Sequence, residues 1–262
     1  LVKEVFGFSF APWYALGLWD ERYVSYSISE GGRMLSNVCI FKADLLIEGQ
    51  KIRAHSFGAV ATRADCRGRG YARRIIERIF AEYPDTPAYL SANPSVLDFY
   101  PRFGFARVAE SRVLLKTEID NAQSGAVPLN IDDDRLARAL KRRAAYSNLL
   151  DAANTDSVQM FHLLMDYPDD IYLLPKAGVV AVAAQEGETL FLADVIAESP
   201  VTFHALRAEL PFTGVTRVEF GFSPDWLDVD GPWSAKTGDD DPLFVKGLRL
   251  PANFKFPATS LT

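Results

Sequence analysis

The chain contains few cysteines and histidines and has no long apolar run, and each shortage excludes a class of protein. Two cysteines in 262 residues cannot build a disulfide framework, which predicts a protein of a reducing compartment, the cytoplasm. The three histidines are scattered without ligand-like spacing, so we expect no metal site. The apolar stretch 6–19 is interrupted by Pro12 and is shorter than the roughly 20 residues of a membrane span. It also lacks the features of a signal peptide, so we expect no membrane partner.

The balance of charge and hydrophobic residues narrows the class further. Asp and Glu outnumber Lys and Arg by 34 to 28, for a net charge of −6, which argues against a nucleic-acid partner that would need a broad basic face. With 48% hydrophobic and 24% charged residues, the composition is that of a globular protein. At roughly 150 residues per domain, the length predicts about two domains.

The pattern of hydrophobic residues predicts a mixed α/β fold in two parts. In the first part, alternation predicts a hairpin over 34–47 and 52–62 and a strand over 88–92, and helical spacing predicts an amphipathic helix over 71–83. We also expect a short helix over 95–102 and a strand or hairpin over 106–118. Polar residues with Gly125 and Pro128 predict a linker. The predicted domains are therefore 1–118 and 132–262, with 119–131 between them.

The second part repeats the order of strands, helix and strand without a close sequence repeat. The predicted helices are 135–146, 155–166 and 201–210, and the predicted strands are 170–174, 179–185, 189–196 and 217–222. We expect the segment after Pro224 to be irregular, and His162 and His204 to be structural residues rather than ligands.

The sharpest chemical signal is a glycine loop between the predicted hairpin and the amphipathic helix. It contains Arg67, Gly68, Arg69 and Gly70, and the unpaired N–H groups at such a helix start attract phosphate. The glycines let the backbone approach an anion closely. Neither a nucleotide P-loop nor a dinucleotide-binding pattern is present, so a small phosphorylated ligand of another kind is indicated.

Two segments resemble the GNAT N-acetyltransferases. Arg67-x-x-Gly70-x-Ala72 is similar to the acyl-CoA signature of that family, and Asn93, followed by Phe99-Tyr100 and then Gly104-Phe105, resembles its downstream pattern. The likeness covers residues 20–117. It implies tandem GNAT-like folds, in which the first copy has an intact acyl-CoA site and the second, lacking an Arg/Gly loop, is degenerate.

The resemblance implies a role for individual residues. Backbone N–H groups of the loop would hold the pyrophosphate of acetyl-CoA; the loop residues are Arg67, Gly68, Arg69, Gly70, Tyr71 and Ala72. Val60, Thr62 and Asn93 would bind the pantetheine arm, and Tyr100 would protonate the departing CoA thiolate. The implied function is an acetyl-CoA-dependent N-acetyltransferase that moves an acetyl group to a primary amine of a small molecule or peptide by direct attack.

Several alternatives stay open in the sequence. The chain could be a non-catalytic acyl-CoA-binding module whose second part recognises a partner, or the arginine loop could be only a turn. Asn93 could cap the following helix. The general base could be Asp20, Glu21 or His55, or a water chain could serve. Whether the chain forms a homo-oligomer is also open.

Two further segments bear on the acceptor. Aromatic residues crowd the segment that precedes the first predicted strand, namely Trp13, Tyr14, Trp19, Tyr23 and Tyr26. Aromatic faces attract cations, which favours a cationic amine, although the same residues could be core. The apolar run 254–260 is expected to dock on the body and to border the acceptor cleft.

Overall fold

A computed structural model describes residues 1–229, 231–235 and 241–262. Across these residues the chain forms six helices and fourteen strands. The helices are α1 Val2–Phe6, α2 Ala11–Ala15, α3 Tyr71–Glu82, α4 Asp134–Arg142, α5 Asp156–Met165 and α6 Phe203–Arg207. The strands are β1 Tyr23–Glu30, β2 Arg33–Ile47, β3 Gln50–Thr62, β4 Ala88–Ser91, β5 Ala106–Val108, β6 Ser111–Ile119, β7 Val127–Pro128, β8 Leu150–Ala153, β9 Ile171–Leu174, β10 Val179–Glu186, β11 Thr189–Ile196, β12 Val215–Phe220, β13 Trp233–Ala235 and β14 Leu243–Lys246.

The strands form two mixed sheets, which confirms the predicted α/β fold class. The first sheet has the order β1-β2-β3-β4-β14-β5, with β8 also paired to β2. The second has the order β13-β6-β12-β11-β10-β9-β7. Each sheet contains one parallel pair joined through a helix, β3–α3–β4 in the first and β11–α6–β12 in the second. This shared crossover is the strand, helix and strand order that the sequence repeats.

The predicted hairpin and amphipathic helix are confirmed. β2 and β3 pair from Ile47↔Gln50 to Ser36↔Thr62, and α3 buries Ile75, Ile76 and Ile79 against the first sheet. Apolar residues recur every three or four positions in this helix, so they lie on one face. Burying each isoleucine stabilises the fold by about 1.5–3 kcal/mol. The helix thereby fixes the glycine loop that precedes it.

Two expectations for the first part are corrected. The predicted helix over 95–102 is two separate 3₁₀ turns, Pro94–Val96 and Tyr100–Phe103, because Pro101 has no N–H to continue a helix. Residues 106–118 do form two strands, but β5 pairs with β14 in the first sheet and β6 with β12 in the second.

We expected the segment after Pro224 to be irregular, but it contains the strands β13 and β14. β14 lies between β4 and β5 in the first sheet, and β8, also unpredicted, pairs antiparallel with the end of β2. Both strands come from beyond the predicted linker, while β6 in the second sheet begins before it. The boundaries 1–118, 119–131 and 132–262 stay a prediction. Each of the two sheets contains strands from both sides of the predicted linker.

A shared core joins the two parts. Phe41 and Tyr89 of the first sheet pack in one buried cluster with Val158 of α5 and with Phe254 and Phe256. The two phenylalanines are almost fully buried, which confirms that the run 254–260 docks on the body. Within the residues that the structure describes, no helix combines the length and apolar character needed to cross a bilayer.

Candidate acyl-CoA site

The site begins where β3 and β4 separate. These parallel strands pair only at His55↔Ala88 and Ser56↔Tyr89, although β3 continues to Thr62 and β4 to Ser91; β14 pairs with the opposite edge of β4. A β-bulge interrupts the pairing of β2 with β3 between Asn37 and Cys39, and Ala59 has a φ of 47°. Bulges bend and twist a strand. Over residues 57–62, the edge of β3 on the side of β4 therefore pairs with no strand in the described part of the chain and lines a cavity instead.

The glycine loop connects this edge to α3. Gly68 and Gly70 have φ values of 74° and 76°, in the left-handed region that favours glycine, and Gly70 is the N-cap of α3. A Cβ added at either glycine would meet no atom within 4 Å, so the loop presents bare backbone to its surroundings. The first N–H groups of α3 have no carbonyl partner within the helix and carry the positive end of its dipole. This is the arrangement that binds phosphate groups in proteins.

The open edge and the loop line one continuous groove. A cavity of about 950 Å³ lies along the β3 edge, and a second of about 380 Å³ lies against the loop and the start of α3. The two share Thr62, Arg67, Ala72 and Phe99 in their walls. Together the two cavities run from the edge of β3 to the glycine loop at the start of α3, an arrangement that suits a long ligand with an anionic end.

The structure brings nearly all of the predicted site residues to this groove. The larger cavity is lined by Val60, Thr62, Arg67, Ala72, Asn93 and Tyr100. The smaller one adds Gly68, Gly70 and Tyr71. Arg69 is the exception: it lines neither cavity, and its guanidinium donates to the carbonyl of Asp65 at 3.2 Å. Its side chain thus braces the loop, while the roles of the other residues stay predictions.

Tyr100 reaches the groove from a buried position. Its ring packs against Phe99, Phe105 and Phe244, with centroids 5.3, 6.0 and 5.9 Å away, and the residue is only 6% exposed. Burial raises the pKa of Tyr100 to about 12, because a phenolate is poorly solvated there. The hydroxyl therefore keeps its proton at neutral pH and can serve as a donor.

Asn93 makes the capping contact that the sequence left as an alternative. Its Oδ1 accepts from the backbone N–H of Ser95 at 2.9 Å and from the Ser95 hydroxyl at 2.7 Å, which caps the 3₁₀ turn Pro94–Val96. Asn93 also lines the groove. Capping occupies the oxygen, so the Nδ2 amide is the group that a ligand could engage.

Part of the groove wall comes from residues that sequence reasoning missed. The larger cavity is lined by Phe161, His162 and Met165 of α5, by Asp166 just after that helix, and by Thr262. His162 Nδ1 lies 2.6 Å from Asp166 Oδ2, and its Nε2 lies 2.5 Å from the carbonyl oxygen of Leu261. The i,i+4 spacing of His162 and Asp166 was visible in the sequence. Nothing in the sequence, however, indicated that α5 lies beside a groove formed by β3.

The three side chains considered as general bases lie away from the groove. Asp20 is paired with Arg22, whose guanidinium is 2.5 Å away. Glu21 is exposed, and His55 is buried with its ring 4.6 Å from that of Tyr83. The structure thus supports none of the three for this role. Among the described residues, no three side chains of His, Cys, Asp or Glu are grouped as a metal site requires.

The environment of His55 leads to a testable pH dependence. Burial, together with the charges of Lys42 and Arg53, lowers the pKa of His55 to about 4, while an unfolded histidine titrates near 6.5. Between these values the unfolded chain binds more protons, so the free energy of unfolding falls as pH falls from about 6.5 to 4.

Replacing His55 with Gln should remove this contribution. Between pH 7 and pH 4.5 the variant should lose about 2–3 kcal/mol less stability than wild type in urea unfolding experiments. His204→Gln, at an exposed histidine, is the matched control and should lose as much as wild type. Equal losses in the His55 and His204 variants would contradict a buried neutral imidazole.

The N-terminal aromatic residues are mainly core. Trp13 and Tyr23 are buried and pack against each other with ring centroids 5.1 Å apart. They line a small cavity of about 50 Å³ next to Thr262, whereas Tyr14 is 68% exposed. The aromatic segment therefore packs next to the groove, beside Thr262. The cation-binding role suggested by its composition stays a prediction.

Comparison with known proteins agrees with this geometry. Residues 1–108 match the family model described as "Acetyltransferase (GNAT) domain". A curated relative, UPF0039 protein sll0451 of Synechocystis sp., is 37% identical over 59 residues, which are 21% of this chain and 38% of that protein. The matched family segment includes the glycine loop, Asn93 and Tyr100.

Solved structures resemble the chain over most of its length. A protein of Enterococcus faecalis V583 described as a "probable N-acyltransferase" has a TM-score of 0.61 at 15% identity and covers 94% of this chain and 67% of its own. Eis1 of Mycobacterium abscessus has a TM-score of 0.55 at 17% identity, covering 88% and 65%. A GCN5-related N-acetyltransferase of Kribbella flavida has a TM-score of 0.53 at 15% identity, covering 93% and 66%.

At these identities the likeness shows the fold alone, and the chain spans about two thirds of the length of those structures. The family match adds the assignment for the first part, where the open β3 edge, the glycine loop and Tyr100 are found. Residues 1–108 of the chain are therefore similar in sequence to an acetyltransferase (GNAT) domain, and the geometry of this segment agrees with that similarity.

Proposed function

We propose that the protein is an acetyl-CoA-dependent N-acetyltransferase that moves an acetyl group to a primary amine of a small molecule or peptide. The observation that carries the proposal is the single groove that joins an unpaired strand edge, a phosphate-binding loop and a protonated tyrosine. These are the three groups that a thioester donor with a pyrophosphate needs.

The donor would lie along the groove in one orientation. Its pyrophosphate accepts hydrogen bonds from the first N–H groups of α3 and from the loop around Gly68 and Gly70. Its pantetheine arm pairs with the open edge of β3 at Val60 and Thr62, in place of a strand, since the amide groups of the arm can complete the hydrogen bonds of that edge. The thioester then lies toward Tyr100.

The transfer needs no covalent intermediate with the protein. The nitrogen of a neutral amine attacks the thioester carbonyl carbon, the C–N bond forms, and the C–S bond breaks. The thiolate takes the proton of the Tyr100 hydroxyl, and water returns the surplus proton of the nitrogen to Tyr100. Proton donation to a leaving group at this stage accelerates such a reaction by typically about 10²–10⁴-fold.

The proposal is tested by binding and by turnover, measured separately. Calorimetric titration of the purified protein with acetyl-CoA should give a dissociation constant in the micromolar range. Incubation with acetyl-CoA and a panel of primary amines (tyramine, spermidine and a lysine-containing peptide) should then release free thiol faster than acetyl-CoA alone. Absence of binding at millimolar acetyl-CoA would overturn the proposal, and binding without amine-dependent thiol release would favour the non-catalytic acyl-CoA-binding module.

A further inference from the structure

The second part of the chain contributes to the groove wall through α5 and through a C-terminal segment, residues 257–262, which we call the strap. It starts at the second sheet, where the N–H of Ala258 donates to the carbonyl of Gly221, just after β12, at 2.8 Å. It ends beside β3, where the hydroxyl of Thr262 lies 2.6 Å from that of Ser56. The strap thus connects the two sheets and supplies part of the groove wall.

A buried polar network holds the strap at the second sheet. Thr259 Oγ1 donates to Asp194 Oδ2 at 2.5 Å, and Gln159 Nε2 donates to the same oxygen at 2.8 Å. Arg143 lies close by, with Nη2 2.9 Å from Asp151 Oδ1 and Nε 3.8 Å from Asp194 Oδ1. Thr259 is 0% exposed and Asp194 is 2% exposed. A carboxylate so far from water must be satisfied by protein groups, so its contact with the strap is not readily exchanged for a contact with solvent.

Beyond this anchor the strap is fitted closely to the groove. His162 Nε2 lies 2.5 Å from the carbonyl oxygen of Leu261. Gly58 of β3 allows the approach of Thr262, because a Cβ at position 58 would lie 2.8 Å from Thr262 atoms. The position of Thr262 is therefore fixed by contacts on both sides.

The strap lies at the part of the groove away from the phosphate-binding loop. Thr262 lines the larger cavity together with His162 of α5 and with Asp166, which follows that helix. The smaller cavity against the loop includes none of these three; its walls are residues from within the segment 62–73, together with Phe99 and Arg102. A ligand that contacts the strap is for this reason the acceptor, or the acyl end of the donor, and not the CoA pyrophosphate.

We propose that Asp194 and Thr259 are positioning residues for the acceptor: the contact between Asp194 of β11 and Thr259 of the strap holds the strap as a fixed wall of the groove. This inference rests on the proposed function, and it gives the second part of the chain a role in catalysis without a second CoA site. Loosening the strap should weaken acceptor binding and leave acetyl-CoA binding unchanged.

Thr259→Val tests the role with the smallest change, since valine has the shape of threonine but cannot donate to Asp194. We expect the KM for the panel amine with the highest rate to rise about tenfold, as expected for loss of a hydrogen bond to a buried charge. The dissociation constant of acetyl-CoA should stay within twofold. Hydrogen exchange of the amides at 258–262 should be faster than in wild type.

Two matched variants separate positioning from general stability. Thr259→Ser keeps the hydroxyl and should restore the wild-type KM. Glu209→Gln changes another buried carboxylate of the second part, which accepts from the N–H groups of Lys176 and Ala177 at 3.0 and 2.8 Å and does not touch the strap. It should leave the KM and the exchange of residues 258–262 unchanged.

The outcomes are distinguishable from a failure of the proposed function. If wild-type protein binds no acetyl-CoA and acetylates no amine, the proposed function is overturned, and this role with it. If wild type is active but Thr259→Val has the wild-type KM and exchange, only the positioning role is overturned. An equal rise in KM for Thr259→Val and Glu209→Gln would likewise overturn it, because general loosening would then explain both.

Discussion

Acetyl-CoA binding is expected to weaken by about 100-fold or more when Gly70→Asp is combined with Arg67→Ala, since the proposed pyrophosphate contact at this loop involves charge-assisted hydrogen bonds. Gly70 is the N-cap of α3 and has a left-handed φ of 76°, a conformation that Asp tolerates better than most residues. Its side chain would project into open space. The loop should therefore keep its shape while a carboxylate occupies the helix start and repels the pyrophosphate.

Removing Arg67 adds to this effect, because its side chain lines both cavities of the groove. Calorimetric titration with acetyl-CoA measures the loss. The matched control is Gly178→Asp, in the turn between β9 and β10. Gly178 has a φ of 70°, and a Cβ added there would meet no atom within 4 Å. The affinity of this variant for acetyl-CoA should equal that of wild type. Equal binding by all three proteins would mean that the glycine loop is only a turn.

Tyr100→Phe is expected to lower kcat by about 10²–10³-fold while leaving the dissociation constant of acetyl-CoA unchanged. Phenylalanine fills the same space against Phe99, Phe105 and Phe244, so only the hydroxyl is lost. Because burial holds the pKa of Tyr100 at about 12, the wild-type donor stays protonated throughout the neutral range. Its deprotonation should therefore cause no loss of kcat below about pH 10.

Stopped-flow or steady-state thiol release measures kcat, and calorimetry measures the affinity of the same preparations. Tyr172→Phe, at a half-buried tyrosine of β9 in the second sheet, is the control and should keep the wild-type kcat. A Tyr100 variant with undiminished kcat would remove the proposed acid from the mechanism. Loss of turnover and affinity together would instead indicate that the hydroxyl supports the shape of the groove.

The local parts of this site could be predicted from the sequence because short-range chemistry encodes them. Alternating apolar residues specified the β2–β3 hairpin, and helical spacing specified α3. Two glycines between them marked the loop. Since β3, the loop and α3 follow one another in the chain, predicting the three elements also brought Val60, Thr62, Arg67 and Gly70 together. Tyr100 and Asn93 could be added only through the resemblance of a second motif.

The rest of the groove was decided by tertiary structure. Thr262 lies against Ser56 and Gly58, and His162 meets the carbonyl of Leu261, contacts that join residues far apart in sequence. The same holds for β14, which enters the first sheet between β4 and β5. Local patterns report which face of an element is apolar, and not which distant surface will cover it. That choice depends on packing of the whole chain. The sequence by itself thus determined a mixed α/β chain with a glycine loop at a helix start, while the fold determined which parts of the second half complete the groove.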